Sequence, residues 1–533
     1  MKNKNLLSFI CTLVVMLGSY YFMLPPINLT SFEFYAFLAY VVIVFLVFKY
    51  IIFSGFSDFN HINNLFKKAK NLVIILSLLG VMFGLIFIVN FVFSPFFFSS
   101  KYSNRINVTM DGEFASDVEK VDFSHIPLLD KDSSQRLGDR VMGQLPELVS
   151  QFYVSSLYTQ INYNNQIIRV TPLEYNGFIK YLSNRNEGVK GYITVDSGTG
   201  EANLVKLDEG MKYMPSAYFF ENLNRKLRFS YPTLIFGDIS FEIDNEGNPY
   251  WVAPIIKYTG VGLLRDISGV VLLNAIDGSS VKYDIDEVPS WVDHVYSADL
   301  IIEQVDDWGL YREGFWNSVL GQKNVVMTTD GYNYLTLGDD VYLYTGITSV
   351  ASDEANIGFI LTNMRTKETV FYSVPGAEEY SAMASAEGQV QQMRYTATFP
   401  LLINLNNKPT YLISLKDSAG LVKMYAFVDV EDYQKVIVTD AVKGIDEAAR
   451  NYLNNFSSNN DDVLVENIIV NSISSANING NTYYYIVSKA GDKYRVSINC
   501  DEYNLPFVKN GDELVISYTI KNDIRDAVKI EIK

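Results

Sequence analysis

The sequence predicts an α+β protein. Three N-terminal transmembrane helices precede a β-rich ectodomain of repeated hairpin units with interspersed helices, and a small C-terminal β-barrel closes the chain. Three observations predict this. Three long apolar segments fill the first hundred residues, and nothing comparable follows. Runs rich in Tyr, Val, Ile and Phe then alternate with Gly/Asn/Asp turns, the pattern of half-buried strands. Finally, strand-like runs crowd the last about 70 residues, the spacing of a small closed barrel.

A bilayer core about 30 Å thick needs about 20 apolar residues in a helix, and residues 6–24, 32–53 and 72–98 each meet that need. Lys2 and Lys4 precede the first span, and Lys67, Lys68 and Lys70 lie in the second connection, with Lys49 able to snorkel toward the same side. The first connection, 25–31, has no Lys or Arg, and only Lys101 and Arg105 closely follow the third span. The positive-inside bias therefore makes the N-terminus and second connection cytoplasmic, and three crossings place residues from about 99 onward outside. A cleaved signal peptide is the rival reading of the first segment, but Ser19 runs straight into Tyr20, Tyr21 and Phe22 instead of a small-x-small site. Glu33 lies near an interface. Asn90 sits deeper and is expected to hydrogen-bond another helix. No ionisable residue occupies a span midpoint, which argues against a transporter or channel.

The chain carries a net charge of −17; the first hundred residues hold six Lys/Arg and two Asp/Glu, so the outer part carries −21. Such a surface repels nucleic acid and anionic headgroups; it suits cationic partners, or serves solubility alone. Cys11 lies in the first span and Cys500 near the C-terminus, so no disulfide framework exists. That argues against a eukaryotic secretory route and for a bacterial surface. On this reading the sequons at Asn107 and Asn455 are chance matches.

The predicted organisation is a three-helix anchor (1–98), a first α+β module (99–215), a second (216–330), third and fourth hairpin modules ending in a helix (331–456), and, after a polar linker 457–462, the barrel (463–533). Helices are predicted at 216–227, 291–307 and 439–456. A hairpin recurs four times. Its first strands are 191–195, 269–274, 358–362 and 424–429, and its returns are 203–207, 281–285, 369–374 and 434–439. A further strand precedes each, beginning near Gln166, Pro249, Val341 and Pro409. One hairpin cannot bury its own apolar face, but stacked copies can. In the barrel region strands are predicted at 464–470, 482–488, 494–498, 513–520 and 527–532, with Asn510-Gly511-Asp512 as a turn. This suggests an OB-like or SH3-like barrel. Its aromatics, Tyr483 to Tyr485 and Tyr494, read as core because the basic groove that base stacking requires is missing.

The stretch Gly247-Asn248-Pro249-Tyr250-Trp251-Val252, then Val270-Val271-Leu272-Leu273-Asn274-Ala275 and Asp277-Gly278, resembles PepSY-type modules of peptidase propeptides and bacterial surface proteins. So does Tyr192-Ile193-Thr194-Val195-Asp196 with Gly198-Thr199-Gly200-Glu201. Both look like that family's strand followed by an aspartate-x-x-threonine-glycine-type turn. The resemblance implies a binding or inhibitory module rather than catalysis. The whole layout also resembles uncharacterised bacterial multi-pass membrane proteins, some labelled colicin-V-production-like, although that label implies a small multi-span protein and the long outer part departs from it.

Catalytic motifs are scarce. The three His residues, His61, His125 and His294, do not cluster, and there is no H-E-x-x-H, Cys pair, P-loop or G-x-S-x-G elbow. Gly260-Val261-Gly262 lacks the next glycine of a phosphate loop. Ser279 and Lys282 match S-x-x-K but follow a hairpin turn, whereas that chemistry needs a helix. The doublets Asp306-Asp307, Asp339-Asp340, Glu378-Glu379 and Asp501-Glu502 would point to opposite faces of a strand. Asp244 to Asn248 resembles part of a calcium loop without its twelfth-position Glu, so it reads as a β-turn. The densest aromatic cluster, Trp308, Tyr311, Phe315 and Trp316, is the candidate binding surface, against the commoner use of aromatics as core.

The function expected is therefore non-enzymatic: a multi-pass cell-envelope protein without cofactor or metal, held in the lipid bilayer, that scaffolds, adapts or regulates an envelope protein partner. An envelope peptide or glycan hydrolase would need two acids in a cleft about 5–10 Å apart. A membrane sensor would need a cytoplasmic output domain, and the second connection is too short for one.

Overall fold

The computed structural model describes residues 2–52, 62–123, 126–350, 352–456, 464–478, 481–521 and 524–532. His61, His125 and the linker 457–462 lie outside the described residues. The chain is mixed α+β, and three N-terminal helices are long and apolar enough to cross a membrane: α1 (Lys2–Met23), α2 (Phe32–Leu46, extended by a π-helical turn Val47–Ile52) and α3 (Ile62–Val92). The third stops before residue 98. Pro95 has no N–H to donate, which suits a first helical turn, and it opens a new helix, α4 (Pro95–Ser103). Strand β1 (Val108–Gly112) and a single turn, α5 (Phe114–Asp117), follow.

One topology then recurs four times. The first copy comprises α6 (Lys131–Gly143), the turn α7 (Pro146–Val149), β2 (Phe152–Val154), β3 (Thr159–Tyr163), β4 (Gln166–Tyr175), α8 (Phe178–Asn184), β5 (Val189–Asp196) and β6 (Ala202–Met211). The second comprises α9 (Leu223–Ser230), β7 (Ile235–Phe236), β8 (Ser240–Ile243), β9 (Pro249–Lys257), β10 (Asp266–Asn274) and β11 (Ser280–Asp284). The third comprises α10 (Ala298–Tyr311), β12 (Val326–Thr328), β13 (Asn333–Leu337), β14 (Asp340–Ser349), β15 (Ser352–Asn363) and β16 (Thr369–Tyr372). After β17 (Gly376–Ala377), the fourth comprises α11 (Glu379–Gln389), β18 (Thr396–Ala397), β19 (Leu401–Leu405), β20 (Lys408–Lys416), β21 (Val422–Asp429) and β22 (Val436–Asp440), followed by α12 (Ile445–Phe456). In every copy two short strands pair with the same long strand, which then pairs with the first strand of a hairpin. β1 adds to the third sheet in parallel alongside β16.

The repetition reaches individual hydrogen bonds. In the first three hairpins an Asx side chain receives the next two free backbone N–H groups: Asp196 from Gly198 and Thr199, Asn274 from Ile276 and Asp277, Asn363 from Arg365 and Thr366, at 2.7–3.3 Å. This is the local bond that makes Asp and Asn turn formers. The fifth residue, Gly200, Gly278 or Lys367, has positive φ (75°, 73° and 65°) and donates its N–H to the Asx carbonyl. The residue after the Asx, Ser197, Ala275 or Met364, is fully buried, and its carbonyl accepts from the segment that leads into its own copy: from Leu129, from Lys212 and Tyr213, and from Val295 and Tyr296. In the fourth copy Val430 is likewise fully buried and accepts from Ala377. The hairpin tip thus ties the start of each copy to its end.

Stacking buries both faces of the second sheet. Trp251, Ala253, Ile255, Val271 and Leu273 join the core of the first copy, whereas Val252, Val270 and Leu272 alternate with them and join a core with α10 and the third copy. Period-two alternation of strand side chains makes this split possible. Trp251 is fully buried in the first of these cores and donates its indole N–H to the Tyr213 carbonyl at 2.8 Å.

The three helices predicted here all begin later than the sequence suggested. Residues 216–222 are not α-helical: Phe219 has positive φ, and the Asn222 side chain caps α9 by accepting from Arg225. Val292 and Val295 have helical spacing but belong to the non-helical lead-in that meets Met364, and the Ser297 cap starts α10 at Ala298. Thr439 lies in β22, and Gly444, at positive φ, precedes α12.

The C-terminal region is a five-stranded closed barrel of β23 (Leu464–Ile478), β24 (Asn481–Ser488), β25 (Lys493–Ser497), β26 (Glu513–Lys521) and β27 (Ile524–Ile532), in the order β23-β24-β25-β27-β26. Long β23 pairs with β26 through its first half and with β24 through its second, and its register shifts between Val470 and Ser472. Such a bulge lets one strand serve both sides of a closure. β25 and β27 run parallel. Ile468, Val470, Ile486, Tyr494, Val496, Leu514 and Ile516 fill the interior.

The chain forms two compact units. One comprises Met1–Met383, Thr398–Tyr411 and Val430–Tyr433; the other comprises Ala384–Ala397, Leu412–Asp429 and Gln434–Lys533 and includes the barrel.

Candidate functional site

The four aromatic residues singled out in the sequence come together at the end of α10, against α4. Tyr311 meets Tyr102 edge-on at 5.7 Å, and Phe315 and Trp316 both meet Phe96, at 5.4 and 5.6 Å. The Arg312 guanidinium lies 4.9 Å from the Trp308 ring centroid. Trp308, Tyr311 and Phe315 are half-buried, whereas Trp316 is 62% exposed. The cluster therefore packs beside the helix that follows the third candidate membrane span.

Around it, the sheets hold the anchor through polar contacts. Asn90, near the end of α3, donates its amide to the Val261 carbonyl at 2.9 Å and accepts from the Val261 N–H at 3.0 Å. The partner expected in the sequence was another helix; it is instead the Gly260-Val261-Gly262 loop, whose open backbone can be reached closely. The Gly262 N–H reaches the Thr30 carbonyl, the Ile27 N–H reaches Pro232, and Arg225 and Arg228 donate to the carbonyls of Tyr21 and Leu24. Buried Arg105 pairs with Asp307 and Glu303, and Lys367 bridges Asp266 and the Arg105 carbonyl.

The acids offered by the sequence serve structural bonds. Asp306 accepts from the N–H and hydroxyl of Thr328 at 2.8 and 2.9 Å, Asp340 pairs with Arg365, and Glu379 is buried against Thr329 and Asn356. Burial raises Asp306, Asp307 and Glu379 above the usual carboxylate range, opposed by Thr328 at Asp306 and by Arg105 at Asp307. The Asp244 carboxylate closes its own turn on Glu246 and Asn248. Ser279 and Lys282 sit on a hairpin, not a helix.

Sequence reasoning missed a buried polar junction between copies. Glu242 on β8 accepts from the N–H groups of Asp293 and His294, Asp293 accepts from the Asn162 N–H at 2.7 Å, and the His294 ring reaches the Gln160 carbonyl. Gln160 in turn accepts from Arg169 at 2.8 Å. Burial, then the nearby Glu242 carboxylate, push Asp293 well above its ordinary value, and burial lowers Arg169 to about 10. These residues lie far apart in sequence, and no local pattern marks them.

It also missed a groove on the barrel, of about 620 Å³, lined by Asp501, Asn504, Phe507, Asp512, Ile530 and Glu531 among others. Asp501 accepts from the Asn504 N–H at 3.0 Å, and Asp512 from the Lys509 N–H at 2.8 Å; the Asn504 bonds hold Asp501 below its usual range. Phe507 is 74% exposed at the rim. Aromatics in an Asp/Asn-rich loop between strands, Tyr503 and Phe507, were the available signal. Asp501 and Asp512 beside an exposed ring suit a cationic side chain, while Glu531 is paired with Lys529 at 2.8 Å. Cys500 is packed nearby, its thiol pushed up to about 11 by burial.

Compared with known proteins, the chain matches no protein-family model and no curated protein.

Proposed function

We propose that this chain is a non-enzymatic adaptor of a bacterial cell envelope. Three helices fix it in the membrane, the outer part is a stack of PepSY-like copies, and an OB-like barrel carries the partner-binding face. The observation that carries this reading is the barrel groove, where Asp501, Asp512 and Glu531 accompany exposed Phe507. It has the chemistry to hold a basic segment of another envelope protein, and the chain's strong negative charge favours the same class of partner.

The repeated Asx turn supports the PepSY-like reading, because Asp196-Ser197-Gly198-Thr199-Gly200 and its counterparts at Asn274 and Asn363 close with the same bonds. The barrel's strand order, with its third and fifth strands parallel, supports an OB-like over an SH3-like arrangement. The Lys distribution supports an outer location for both.

The test is photo-crosslinking in intact cells from a reactive analogue placed at Phe507, followed by identification of the attached protein. The expected result is one defined envelope protein whose capture falls when Asp512 and Glu531 become Asn and Gln. Recovery of uncrosslinked protein alone, or capture unchanged by D512N/E531Q, would overturn the reading.

A further inference from the structure

We infer that two loops of the sheet region insert their tips into the bilayer, so that the lipid surface itself supports the stack beside the three helices. The first loop follows α10. α3 ends at Val92, and Phe91 in its last turn lies against Phe96 (6.5 Å, near-parallel) and Phe97 (5.4 Å, edge-on). Phe96 is in ring contact with Phe315 and Trp316. An unbroken chain of rings therefore runs from the end of a membrane span to this loop. Immediately beyond, the π-helical turn Asn317–Gly321 holds Val319 and Leu320 outward, Leu320 at 76% exposure.

The second loop does the same at the end of α1. Tyr21 meets Phe220 at 5.8 Å and Phe229 at 6.3 Å, and Tyr20 meets Phe229 at 6.0 Å. Positive φ at Phe219 turns the chain there, and Phe220 is left exposed beside exposed Phe22. Arg225 lies 4.6 Å over the Tyr21 ring.

Lipid is the occupant because the second loop touches the terminal turn of a helix long and apolar enough to span, and the first reaches such a turn through Phe96, so each tip continues the apolar belt of that helix. Its composition is also that of a membrane interface, with Trp, Phe and Leu flanked by cations: Arg312 and Lys323 at one loop, Arg225 and Lys226 at the other. In water, Trp316 and Leu320 would stay 62% and 76% exposed, whereas lipid would cover that apolar surface.

The test uses the full chain in phosphatidylcholine nanodiscs, with and without acyl-brominated lipid, which quenches only nearby indoles. The expected result is strong lipid quenching of a Trp emission component that is absent from W316F, together with weak quenching of that component by aqueous acrylamide. A second variant, Phe220→Trp, reports on the other loop and should gain a lipid-quenched component. Lipid quenching unchanged in W316F, or Trp316 quenched by acrylamide and not by lipid, would overturn the inference. Trp316 shielded from both quenchers would overturn it in favour of a protein contact.

Discussion

Replacing Asn90 by Leu tests the join between anchor and sheets. Leu keeps α3 long and apolar enough to cross a membrane. What is lost is a two-bond clamp, at 2.9 and 3.0 Å, on the backbone of Val261. With each bond worth about 1 kcal/mol net, and more where the freed group stays out of water, local opening becomes about 2–3 kcal/mol easier. That corresponds to about 30- to 150-fold faster exchange of the Val261 amide. The assay is hydrogen exchange by mass spectrometry on nanodisc-embedded protein, following the peptide that spans 258–264. The bond from the Thr259 N–H to Leu263 remains and keeps the loop itself closed, so the change should centre on Val261. Exchange that is the same in N90L as in the parent would refute the clamp.

Two further outcomes follow from the repeat stack. Asn274→Ala removes both side-chain bonds of the second hairpin turn and should cost about 1–2 kcal/mol in thermal or denaturant unfolding, whereas Asn274→Asp should be tolerated, because Asp196 does the same work in the first copy; equal stability of the Ala and Asp variants would contradict the shared-turn account. Asp293 is raised by burial and by Glu242, so the fold favours its protonated form. That stabilisation is complete below the unfolded value of about 3.9 and is lost as pH rises through the folded value. Asp293→Asn should therefore match the parent near pH 4 and melt progressively higher than it as pH rises above that; melting curves that stay parallel as pH rises would contradict the assigned shift.

Much of the architecture was legible because it is local. The three apolar spans, the four hairpins beginning near residues 191, 269, 358 and 424, and the five strands of the barrel all declare themselves through periodicity and turn chemistry. The errors share one cause. Tyr218, Phe219 and Phe220, and likewise Val292 and Val295, have the density of a helix face, yet their apolarity serves tertiary contacts: with Tyr21 and Tyr181 in one case, with the Met364 turn and its core in the other. Tertiary demand overrides local propensity in such places. The alternation of Trp251, Val252 and Ala253 between two cores could not be read either, because a strand apolar on both faces looks the same in sequence whatever covers it. Of the site residues, Trp316 was found as an exposed aromatic, but its neighbour Phe96 lies more than two hundred residues earlier. The Glu242–Asp293 junction depends on equally distant partners. The barrel groove gave only the faint signal of rings in a polar loop.

An adaptor of the cell envelope must hold its sheets and barrel on the outer side of the membrane. The direct measurement is cysteine accessibility. In a chain lacking Cys11 and Cys500, a single cysteine is placed at Val442, which is 94% exposed, and intact cells are treated with a membrane-impermeant thiol reagent. Labelling in intact cells as complete as after lysis is the result the account expects. Labelling only after the cells are opened would place the stack in the cytoplasm and contradict it.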